Sequence, residues 1–217
     1  MNENNILNKL SEEYSEGDIQ LQNTLLNLWK NGIETYACCK GHDMGSYYHI
    51  PYIAMYLDNN NLTFFKNLYK SIYLLDDGIS IEFNYRKNIK LHTCCIYMRR
   101  EENKTSGLNY INDCLNNKEI KIKNDNFDNI IFLLEYAKDN EIDMEYSINS
   151  KKMNIWFKNP KEKNISDNIY LLSEELNKMK ENSKIPYIPM ECDENNLNEF
   201  VNLIKNNKFN QSKLNLK

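Results

Sequence analysis

Residues 50–70 and 185–205 are two versions of one segment. The first reads IPYIAMYLDNNNLTFFKNLYK and the second IPYIPMECDENNLNEFVNLIK, with 13 of 21 positions identical. A duplication of this length constrains the fold, because a supersecondary unit formed once must be formed again. Each copy opens as an apolar strand, turns at Asp-x-Asn-Asn and continues as an amphipathic helix. Asp and Asn suit that turn and the helix N-cap, since their side chains accept from free backbone N–H groups. A third, weaker copy occupies 119–126 (EIKIKNDN) and leads into a helical pattern over 127–138.

The segments between the copies also correspond. Two alternating strand patterns, 79–86 and 90–98, follow the first helix (62–75); two more, 142–149 and 152–158, follow helix 127–138. A helix follows each pair, at 105–116 and at 166–181, and a further helix at 19–30 precedes the first copy. The order β-α-β-β-α, used twice, is that of the split βαβ unit. The expected fold is α+β: two tandem ferredoxin-like (βαββαβ) units, their largely antiparallel sheets covered by helices on one face. The expected domains are 1–117, with the N-terminal helix and first unit, and 118–217, with the second unit, a C-terminal helix and a frayed tail.

Composition limits the function classes. With 41% hydrophobic residues and 12% aromatics, including 15 Tyr, the chain can fill a core. A net charge of −4 offers no global attraction for nucleic acid, although a local basic patch remains compatible with it. The N-terminus lacks the basic-then-apolar pattern of a secretory signal, and no apolar run approaches a membrane span of roughly 18 residues. A cytoplasmic protein with reduced cysteines and no membrane partner is expected. The richness in Asn, Lys and Ile, whose codons are A/T-rich, points to an A/T-rich bacterium or its phage.

Chemistry-bearing residues gather at Cys38-Cys39-Lys40-Gly41-His42, entered from a strand-like 34–37, with His49 close behind. Three readings are open. Cys38 or Cys39 with His42 has the spacing of two tetrahedral zinc ligands, and His49, His92 or Cys94 could complete the set, although no Cys-x-x-Cys occurs. Alternatively Cys39 is a nucleophilic thiol and His42 its acid/base, with Gly41 as the hinge that brings them together. The plain alternative is that the cysteines are small hydrophobes at a strand end. That last reading is favoured for Cys94 and Cys95, which lie inside a strand pattern that sends one to each face.

Topology adds a geometric expectation. In a ferredoxin-like sheet the first and third strands are antiparallel neighbours, so the start of 51–57 should lie beside the end of 90–98. Arg99 and Arg100 follow that end, where they could grip a phosphate or lower a thiol pKa. His92 should lie toward the opposite edge.

The run Gly32-Ile33-Glu34-Thr35-Tyr36-Ala37-Cys38-Cys39-Lys40-Gly41-His42, followed by Pro51-Tyr52-Ile53, resembles small uncharacterised phage and Firmicute proteins that carry a Cys-Cys-x-Gly-His loop. More remotely it is similar to the Ser-Cys-Ser-Gly-Arg loop of the wybutosine-synthesis tRNA methyltransferase family, with Cys39 and Gly41 at the matching positions and His42 in place of arginine. Leu91-His92-Thr93-Cys94 is loosely like that family's Leu-His-Val strand. The second resemblance implies S-adenosylmethionine as a cofactor and RNA as a substrate.

The leading expectation is an enzyme or ligand-processing protein acting on a nucleotide or RNA-like anionic substrate. Cys39 and His42 would be catalytic, and Gly41, Arg99 and Arg100 would bind. A zinc site would draw on Cys38, Cys39, His42 and His49. The competing expectations are a noncatalytic phage or mobile-element protein that binds a host defence protein, and a zinc-stabilised structural module.

Overall fold

The computed structural model describes residues 3–43, 48–72, 75, 78–99, 101–116, 126–149, 153–158, 187–192, 197–198, 201–202 and 204–206. The fold is α+β. Helices α1 (Glu3–Ser15) and α2 (Ile19–Lys30) lead into strand β1 (Thr35–Cys39). A two-residue ribbon, β2 (His42–Asp43) and β3 (Tyr48–His49), then leads to β4 (Tyr52–Tyr56). A 3-10 turn at Asn59–Asn61 and α3 (Leu62–Ser71) follow, then β5 (Ile79–Arg86), β6 (Leu91–Met98) and α4 (Glu101–Leu115). The remaining elements are α5 (Phe127–Asp139), β7 (Asp143–Asn149), β8 (Met153–Lys158) and β9 (Tyr187–Cys192). The weak third copy at 119–123 and the helix expected at 166–181 lie outside the described residues. Among the described residues no helix is long and apolar enough to cross a membrane.

The chain forms two compact units. The first holds α1–α4, β1–β4, β6 and the start of β5, with strand order β1-β4-β6-β5. Strands β1 and β4 pair antiparallel, as do β4 and β6. The expected neighbourhood of first and third strands is present, with Tyr52 opposite Tyr97 and Tyr56 opposite Thr93. Alternation builds the core: Ile53, Met55, Ile79, Ile81, Phe83, Cys94, Ile96 and Met98 are fully buried. Helix α2 buries Leu21, Thr24, Leu25 and Leu28, the i, i+3, i+4, i+7 stripe of an amphipathic helix. It docks on α4 through side-chain hydrogen bonds, Asn27 Nδ2 donating to Asn112 Oδ1 (2.8 Å) and Asn112 Nδ2 to Thr24 Oγ1 (2.9 Å).

At the repeat's turn the cap falls on Asp58, whose carboxylate accepts from the Asn60 N–H. Asn61 does not cap α3 with its side chain; its amide instead donates to Gly32 O at 2.9 Å.

The second unit holds α5, β8, β9, the end of β5 and the start of β7, with strand order β7-β8-β9. Phe127, Ile130, Leu133, Leu134 and Ala137 form the buried stripe of α5. Leu197, Val201 and Ile204, buried at helical spacing, belong to the second copy's helix, and Asn129 Nδ2 donates to Asn198 Oδ1 at 2.6 Å. The two copies hold equivalent seats. β4 pairs antiparallel with the second strand of the β5–β6 hairpin, and β9 pairs antiparallel with β8, the second strand of its own hairpin. At one aligned position the residue changes in character: Ala54 lies between Ala37 and Cys95, whereas the matching Pro189 lies opposite Trp156.

Candidate functional site: the Cys-Cys-Lys-Gly-His segment and the tyrosine row

Cys38 and Cys39 are strand residues, not loop residues. β1 runs two positions beyond the expected 34–37 because it pairs with β4, Cys38 opposite Ile53 and Cys39 opposite Tyr52. Alternation sends the two sulfurs to opposite sides of the sheet. Cys38 Sγ donates to Tyr14 O at 3.3 Å, while Cys39 Sγ accepts from Gly41 N at 3.4 Å. Burial pushes the Cys38 thiol up to about 11, helped by charge repulsion from Cys39 and Glu16. It therefore stays protonated at neutral pH, and an activated thiolate is not what this environment favours.

Gly41 turns the chain at φ +91°, a conformation that opposes a Cβ. His42 then pairs across the small ribbon with His49. His42 Nε2 lies 3.3 Å from Glu16 Oε2, and Lys40 Nζ is 3.6 Å from the same carboxylate oxygen and donates to Glu16 O at 3.0 Å. Among the described residues the Cys39 sulfur and the His42 imidazole are thus each partnered elsewhere, and no group of three His, Cys, Asp or Glu side chains gathers as around a metal ion.

What holds this segment is the turn between α1 and α2, which sequence reasoning missed. Glu16 takes φ +52° and Gly17 φ +81° to reverse the chain. Asp18 then caps α2 by accepting from Leu21 N at 2.9 Å and pairs with Lys104 Nζ at 2.7 Å. Lys104 also reaches Lys40 O at 3.3 Å, so α4, the turn and the segment are joined. Gly17-Asp18 was readable as a turn and cap; Glu16 and Lys104 carried no sequence signal because their role arises only in three dimensions. Replacing Gly41 by alanine is expected to cost about 1 kcal/mol of stability through the left-handed backbone, measurable by chemical denaturation.

The other face of the same strands carries a row of aromatic and thiol groups. Directly paired residues share a face, so Cys39, Tyr52 and Tyr97 line up across β1, β4 and β6. The Tyr52 and Tyr97 rings are 5.9 Å apart at 43°, and Tyr36 and Tyr56 are 5.0 Å apart at 35°. All of these except exposed Tyr36 are half-buried. Burial raises the Tyr52 phenol, with Cys39 and Cys95 adding to the shift; burial also raises Tyr97, helped by Cys95 and Glu82. Both phenols stay neutral donors at ordinary pH. Cys95 is pushed up to about 12 and Cys94 well above the usual thiol range, chiefly by burial, so both are the core cysteines expected.

Arg99 is exposed just past the end of β6, at the strand end that carries Tyr97, and its N–H donates to Gly78 O at 2.7 Å. Arg100 lies outside the described residues. His92 stands toward the other end of β6, where its carbonyl accepts from Leu57 N. The tyrosine row was legible in principle: given the expected first–third strand pairing, period-2 alternation places Tyr52 and Tyr97 on one face. No known family matches the chain, nor does any curated protein or solved structure.

Proposed function

We propose that the chain binds a nucleotide or a short RNA-like anionic ligand on the tyrosine face of its first sheet. Tyr52 and Tyr97 would stack on a base, and Arg99 would meet a phosphate. The observation that carries this reading is the Tyr52–Tyr97 pair at 5.9 Å on adjacent strands, half-buried, with neutral phenols. Aromatic side chains on the central strands of a βαββαβ sheet are a general means of stacking unpaired bases. The reading includes the assignment of both repeats as ferredoxin-like units, supported in the first by the 1-3-2 order of β4, β6 and β5. Binding is favoured over catalysis because the imidazole of His42 lies 3.3 Å from Glu16, while the Cys39 sulfur accepts from the Gly41 N–H.

The test is a titration with nucleoside 5′-monophosphates and with short single-stranded RNA, followed by tyrosine fluorescence. Tyr52→Ala and Tyr97→Ala should each weaken binding by about tenfold, the scale of one lost base–aromatic stack, while Tyr→Phe at either position should change it little. Alanine variants that bind as tightly as the parent, or a parent that binds neither ligand, would remove the reading.

A further inference from the structure

Helix α1, the end of α2 and strand β1 border an open cavity of about 240 Å³, lined by Leu7, Leu10, Tyr14, Trp29, Glu34, Thr35, Tyr36, Ala37 and Cys38. It lies within the first unit and is separate from the Tyr52–Tyr97 pair. At ~30 Å³ per water it has the volume of roughly eight waters, room for a small organic molecule. We propose that it is a binding site for a small organic ammonium cation, of the quaternary or alkylated kind.

Two observations support that occupant. The first is the walls. Tyr14 and Trp29, which both line it, stand edge to face, 84° apart at 6.2 Å. Trp29 is pinned by its Nε1–H, which donates to Thr35 Oγ1 at 2.9 Å. Aromatic rings beside such a space attract a cation through their quadrupoles, and soft alkylated ammonium ions suit them because little hydration is lost. The second is charge. Glu34, exposed, is the sole charged residue among those lining the cavity, so the site is complementary to a cation. The Cys38 thiol at the wall donates to Tyr14 O and, being held protonated, brings no competing charge.

The neutral alternative, an apolar molecule held by the hydrophobic effect alone, differs in one measurable respect. Choline and tetramethylammonium carry the charge; 3,3-dimethylbutan-1-ol has choline's shape without it. Titration of the full chain with each, followed by tryptophan emission and by calorimetry, should give saturable binding for both cations and at least about fivefold weaker binding for the alcohol. Glu34→Gln, a surface change that leaves the core intact, should weaken the cations by about fivefold and leave the alcohol unaffected. Tyr14→Leu should weaken the cations by a similar factor. Equal binding of alcohol and cations, cation binding unchanged in both variants, or no saturable response to either cation would overturn the proposal.

Discussion

Asp18→Ala is expected to lower stability by about 3 kcal/mol, a large loss for one polar side chain. Two roles are removed together. The carboxylate caps α2 through Leu21 N, a contribution of about 1 kcal/mol. It also forms the 2.7 Å pair with Lys104, whose side chain is only 12% exposed, so the ammonium would be left largely desolvated without this carboxylate. Asp18→Asn separates the roles: asparagine caps well but cannot pair, so a loss of about 2 kcal/mol is expected. Urea midpoints for the two variants check this; an alanine variant as stable as the parent would show the pair to be worth nothing.

The same carboxyl predicts an acid dependence. Partial burial raises its pKa, but the Leu21 N–H and the hydrogen bond and charge of Lys104 outweigh burial, and the net shift is downward. A depressed folded-state pKa stabilises the fold above the unfolded value of about 3.9, and that stabilisation fades as pH falls through the lower folded value. The parent should thus lose stability below about pH 4 more steeply than Asp18→Asn does.

Gly107→Leu should also cost about 3 kcal/mol. Glycine in a helix interior is normally a liability of about 1 kcal/mol, so the residue would be expected to tolerate enlargement. In α4 it does not have the room. A Cβ at Gly107 would stand 2.6 Å from Met98 Cγ and 2.8 Å from its sulfur, with Ile79 Cδ1 at 3.6 Å. Met98 and Ile79 are fully buried, so they can retreat only by disturbing the core beneath α4. Even Gly107→Ala should be destabilising, and Met98→Ala made in the same chain should recover part of the loss, because the two substitutions share one space. Additive effects of the pair would show that the helix shifts instead.

The sequence carried the elements well where periodicity was strong. Helix 19–30 and strand 79–86 match α2 and β5 residue for residue, since a clean apolar stripe and a clean alternation leave little choice. The first–third strand neighbourhood followed from the β-α-β-β-α order. Boundaries set by pairing were less legible: β1 extends through both cysteines because Tyr52 lies opposite Cys39, a partner 13 positions away. The surroundings of His42 were illegible for a related reason: Glu16, from another element, lies 3.3 Å from the imidazole. Local spacing holds no record of that.

The aligned exchange of Ala54 for Pro189 bears on where each copy can accept a further strand. Ala54 keeps its N–H, and β1 pairs with β4 across it, with Ala37 opposite. Pro189 has no N–H, so at that position β9 has nothing to donate to an added strand, which is how a proline guards a sheet margin against edge-to-edge association.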